Sequence, residues 1–80
     1  MSIEQIRKKL LKIFNIVFEK DYDDEQIDIM FQEGQFNSID YIKFVVAVEN
    51  EFKIEFDDDM LAIHTFRTVY DVAKYIKSLL

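Results

Sequence analysis

Phe36-Asn37-Ser38-Ile39-Asp40-Tyr41-Ile42 is the stretch whose reading decides the fold. Asparagine is a strong helix N-cap. The side-chain oxygen of Asn37 can accept the backbone N–H of Asp40, whose own carboxylate then falls in the first helical turn, where the helix dipole favours it. The reading starts a helix at Ser38. From there to Phe52 the apolar residues cover two faces at the 3.6-residue period. Tyr41, Phe44, Val45, Val48 and Phe52 make one face, wide enough for a core. Ile39, Ile42 and Val46 make a second strip, bordered by Lys43, Glu49 and Asn50. A chain of 80 residues has too little protein to enclose both faces, so the strip is expected to stay open beside the serine as a docking surface. Taken alone, Ser38 needs no role beyond that of a first-turn residue.

The flanking segments read as support for that turn. Ile3, Ile6, Leu10, Ile13, Phe14 and Val17 recur at helical spacing and predict an amphipathic helix over 3–18, with Arg7, Lys8, Lys9 and Lys12 on a solvated face. Thr68, with Asp71 three residues on, reads as the cap of a last helix whose core stripe is Val69, Val72, Ala73, Ile76 and Leu79. Residues 19–37 read as a long connection anchored by Ile27, Ile29, Met30, Phe31 and Phe36. Its acidic cluster lacks both the glycine and the bidentate glutamate of an EF-hand, because Gln26 and Gln32 stand at those positions. Gly34, the one glycine, predicts a turn with positive φ. Asp57, Asp58 and Asp59 suit the start of a short helical turn running through Met60 to Ile63. The expected architecture is all-α, a small bundle of three main helices plus one short helix in a single domain, 1–80.

Composition narrows the function. There is no cysteine and one histidine, His64, so neither a thiolate nor a Cys/His zinc site is available, and no motif ties His64 to Ser38 as a catalytic pair. We expect no metal site, no catalytic residue and no enzyme activity. Residues 21–59 carry thirteen carboxylates against Lys43 and Lys53, a sum of −11. That field repels nucleic acid and anionic lipid and attracts basic protein surfaces. No basic-then-apolar leader and no membrane-length apolar run is present, and a soluble cytoplasmic monomer is expected.

Several segments together resemble one known family, the acyl carrier proteins and the related peptidyl carriers. Asn37-Ser38-Ile39-Asp40 is similar to the family's Asp-Ser-Leu-Asp turn, Val45-Val46-Ala47-Val48-Glu49-Asn50-Glu51-Phe52 to its second helix, and Phe66-Arg67-Thr68-Val69-Tyr70-Asp71-Val72 to the start of its last helix. The first helix matches in pattern only. The resemblance implies that Ser38 carries a covalent 4′-phosphopantetheine arm, delivered from coenzyme A by a phosphopantetheinyl transferase, and that the arm holds acyl groups as thioesters. It implies partners that load and process acyl groups, met by Ile39, Asp40, Ile42, Lys43, Val46, Glu49 and Asn50. Three departures stand out: Gly34 lies four residues before the serine rather than three, Asn37 replaces an aspartate, and Lys43 and Asn50 replace acidic residues of fatty-acid carriers. They fit a carrier dedicated to one pathway. Two other readings of the same residues remain: a freestanding aminoacyl or peptidyl carrier with the same Ser38 chemistry, and an unmodified helical interaction module using only the apolar strip.

Overall fold

In the computed structural model, which describes residues 1–62 and 64–80, four α-helices surround one core. They are α1 (Ile3–Phe18), α2 (Asp24–Gln32), α3 (Ser38–Phe52) and α4 (Val69–Leu79), with a 3₁₀ turn at Asp58–Met60. The all-α bundle of three main helices and one short helix stands as the sequence predicts, but the short helix is α2. The acidic run read as a loop is a helix start. Asp23 accepts the N–H of Gln26 at 2.8 Å, while the Gln26 side chain accepts the N–H of Asp23 at 2.9 Å. This reciprocal box, with Asp24 and Glu25 in the first turn, overrides the solvation that clustered carboxylates otherwise favour. The expected turn after Asp57 shrinks to three residues, and its predicted end at Ile63 lies outside the described residues.

The core takes Ile6, Leu10 and Phe14 from α1, Ile27 and Phe31 from α2, the α3 face already named, and Val69, Val72, Ala73 and Ile76 from α4. Phe36, Phe56 and Phe66 close it from the connections. Phe14 stands at the centre of an aromatic cluster, with ring centroids 4.8 Å from Phe18, 5.4 Å from Phe36 and 5.6 Å from Phe44. Two expected core residues face water instead. Ile29 is exposed because α2 turns Ile27 and Phe31, four residues apart, inward. Leu79 is exposed because the last turn of α4 runs past the end of the core.

Polar side chains lock the helices together. The basic face of α1 is not simply solvated: Arg7 bridges to Asp24 of α2 at 2.6 Å, and Lys9 pairs with Glu51 of α3 at 3.6 Å while standing over the Phe52 ring. The Asp28 carboxylate accepts the N–H of Val69 at 2.7 Å, so a residue of α2 satisfies a free donor at the start of α4. Both α1 and α3 end on non-glycine residues with left-handed backbone, Glu19 and Lys53, each at φ 54.

Partial burial pushes the Asp28 carboxyl above the ordinary aspartate pKa, with the Asp24 and Asp71 carboxylates acting the same way and the Val69 bond and Arg7 opposing. A carboxyl whose folded pKa exceeds its unfolded one makes the native state the better proton binder in that interval. Stability is therefore lost as pH climbs through the interval and levels off above it. Asp28→Asn keeps an oxygen for Val69 and removes the titration. Its stability relative to the parent is expected to rise from acid toward neutral pH and then to plateau, as read from urea unfolding between about pH 3 and 7. A pH-independent difference would show that folding leaves the Asp28 pKa at its unfolded value.

Candidate functional site

The chain reaches Ser38 through two fixed points. Gly34, at φ 68, turns the backbone after α2, and Phe36 then buries its ring, stacked on Phe31 at 5.2 Å and 8°. Asn37 follows in extended conformation, and its side chain accepts the N–H of Asp40 at 2.8 Å, as the sequence predicts. The Tyr41 N–H bonds the Asn37 carbonyl. The N–H groups of Ser38 and Ile39 stand ahead of the first intrahelical donor and have no partner among the described residues, so the turn offers two donors and the positive end of the dipole to an anion.

The three serines differ in what their hydroxyls do. Ser2 Oγ caps α1 by accepting the N–H of Gln5, and Ser78 Oγ donates to the Tyr75 carbonyl. Ser38 is exposed, and among the described residues its hydroxyl forms no hydrogen bond. No base among the described residues is bonded to it either. His64 is exposed and lies across from Gly34, where an added Cβ would come within 3.7 Å of His64 Cε1. Without a bonded base the hydroxyl lacks the activation that a catalytic serine nucleophile needs.

Beneath the serine the turn is anchored by a side-chain hydrogen bond. Tyr41 Oη donates to the Met60 carbonyl at 2.8 Å, and burial pushes its pKa up to about 12, so it is a fixed donor at neutral pH. The next connection is strapped as well: Glu49 accepts the N–H of Phe56 at 2.8 Å and Tyr75 Oη that of Asp57 at 3.0 Å.

Above the turn the second apolar strip is open, with Ile39 71%, Ile42 40% and Val46 47% exposed. These three residues, Lys43, Ser38 and Val17 of α1 line one open groove of about 690 Å³. Val17 was missed as a site residue because its spacing places it on the α1 core stripe; only the antiparallel packing of α1 on α3 brings it to the rim. The other expected contact residues lie apart. Asp40 lines a separate cleft of about 120 Å³ with Lys20, Phe18 and Phe36. Glu49 is half-buried on its bond to Phe56, and Asn50 is exposed farther along α3. Among the described residues no helix is long and apolar enough to cross a membrane.

Residues 4–76 match the family model described as the phosphopantetheine attachment site. An acyl carrier protein homolog of Mycoplasma genitalium is 34% identical over 80 residues, spanning 95% of this chain and 93% of that protein. An acyl carrier protein of Lactobacillus acidophilus is 34% identical over 79 residues, spanning 98% and 96%. No solved structure gives a significant match.

Proposed function

The chain belongs to the acyl carrier protein family, whose members bear phosphopantetheine and carry acyl groups without catalysing reactions, and from that premise we propose that Ser38 is the attachment residue. The observation that carries this is the free Ser38 hydroxyl at the capped start of α3, against the engaged hydroxyls of Ser2 and Ser78. The site suits the group on its own chemistry. A phosphodiester on Ser38 Oγ would meet the unpaired N–H groups of Ser38 and Ile39 and the dipole of a fifteen-residue helix. Asn37 caps that helix without adding a second negative charge beside the phosphate.

In the transfer the Ser38 Oγ–P bond forms as the bond from phosphorus to 3′-phosphoadenosine 5′-phosphate breaks. The hydroxyl proton leaves to a base on the transferase. When bound, the group supplies a terminal thiol that holds an acyl cargo as a thioester. The chain's own part is to hold the attachment turn still, through Tyr41 and Phe36, and to present the Ile39, Ile42 and Val46 strip to the transferase and to the enzymes that load and process the cargo. Lys43 and Asn50 on that exposed side support a carrier read by partners of a dedicated pathway.

Incubation with coenzyme A and a broad-specificity phosphopantetheinyl transferase is expected to raise the intact mass by one phosphopantetheinyl unit. Tandem fragmentation is expected to place that unit on Ser38. An unchanged mass with several transferases, one of them from the source organism, would overturn the assignment.

A further inference from the structure

The groove between α1 and α3 is walled by Val17, Ile39, Ile42 and Val46, ends at Ser38, and holds one charged side chain, Lys43. The protein as a whole carries −6, so the sign at the groove opposes the sign of the molecule. The carboxylates of α3 do not cancel it. Asp40 lines the other cleft with Lys20, Glu49 accepts the Phe56 N–H, and Glu51 faces Lys9. Among the described residues Lys43 forms no ion pair.

We propose that this groove docks a partner presenting an aliphatic ridge together with a carboxylate that meets Lys43. The proposal deepens the carrier reading, on which it rests for the use of the groove, by naming the partner's chemistry. An apolar ridge seated on Ile39, Ile42 and Val46 excludes water beside the ammonium and lowers the local dielectric. An opposite charge there gains strength, and a like charge is penalised more than a missing pair. The long-range field acts the other way, since a protein of −6 draws cations toward it. The two effects therefore rank the same pair of ligands in opposite order.

Two helical peptides separate them, identical in a leucine face spaced i, i+3, i+4 and i+7 and flanked by glutamates in one and by lysines in the other. Each is titrated into isotope-labelled, unmodified protein while backbone amide shifts are followed. The glutamate peptide is expected to move the resonances of Val17, Ile39, Ile42 and Val46 and to bind about three- to fivefold tighter than the lysine peptide. Lys43→Glu, at an exposed position, is expected to reverse that order without changing the melting temperature. Tighter binding of the lysine peptide by the parent, equal affinities, shifts away from the groove, or no binding of either peptide at millimolar concentration would each overturn the proposal. Intact mass after treatment of the same protein with transferase keeps the two readings apart. A protein that accepts the arm but shows no glutamate preference loses only the partner chemistry. One that shows the preference but refuses the arm loses only the carrier assignment.

Discussion

Ser38→Ala will accept no phosphopantetheine and will unfold as the parent does. The loss is complete because no other serine offers a comparable hydroxyl: that of Ser2 is part of the cap of α1 and that of Ser78 is bonded to the Tyr75 carbonyl. Stability is spared because the side chain is exposed and the cap belongs to Asn37. Alanine is also the better helix former inside a first turn. The change in unfolding free energy should stay within about 0.5 kcal/mol, the usual range for surface substitutions. Asn37→Ala serves as the contrasting control and should cost about 1 kcal/mol, since it orphans the Asp40 N–H. Intact mass and urea titrations of the three proteins decide the matter. Retained modification of Ser38→Ala would move the attachment site. A destabilisation as large as that of Asn37→Ala would mean that the hydroxyl has a structural role absent from the folded contacts.

Phe14→Ala is expected to abolish cooperative folding at 37 °C. The ring is 1% exposed and touches α3 through Phe44 and the segment before Ser38 through Phe36. Truncating a buried phenylalanine costs about 3–5 kcal/mol, because the transfer term is joined by the cavity left behind. Small single domains hold only about 5–15 kcal/mol in total, with chains of this length toward the low end. Phe14→Leu, which keeps most of the volume, should fold with a lowered urea midpoint. Near-ultraviolet circular dichroism and urea titration distinguish the three proteins. A loss below about 1 kcal/mol for Phe14→Ala would show that Phe18, Phe36 and Phe44 collapse into the space. If Phe14→Ala folds at low temperature and still accepts the arm at the parental rate, the Ser38 turn does not depend on this cluster.

What the sequence made legible was local. Asn37 and Thr68 are caps whose donors lie three residues away, so their chemistry is complete within one turn of chain. The two faces of α3 separate by periodicity alone, and the structure buries one and exposes the other. The short helix α2 was hidden by competition between two local signals. Its nine residues hold too few apolar positions to show a period, and the carboxylates before them read equally well as a solvated loop. The Asp23 to Gln26 spacing was the signal that could have found it. The composition of the groove was not local. Val17 reaches it through antiparallel packing, and Glu49 turns from it because the chain reverses after Lys53 and brings the Phe56 N–H within reach. Neither event leaves a mark on residues adjacent in sequence.

The two left-handed helix ends bear on how this chain can change. At Glu19 and Lys53 a side chain occupies backbone that glycine enters freely and asparagine tolerates. Each costs on the order of 1 kcal/mol relative to such a residue. Proteins are seldom at their stability optimum, and here the shortfall has an address. A glutamate codon is one base from glycine and a lysine codon one base from asparagine. Neither position lines the groove or the serine turn. Adaptation of this lineage to a hotter habitat therefore has two single-nucleotide routes that leave its carrier surface unaltered.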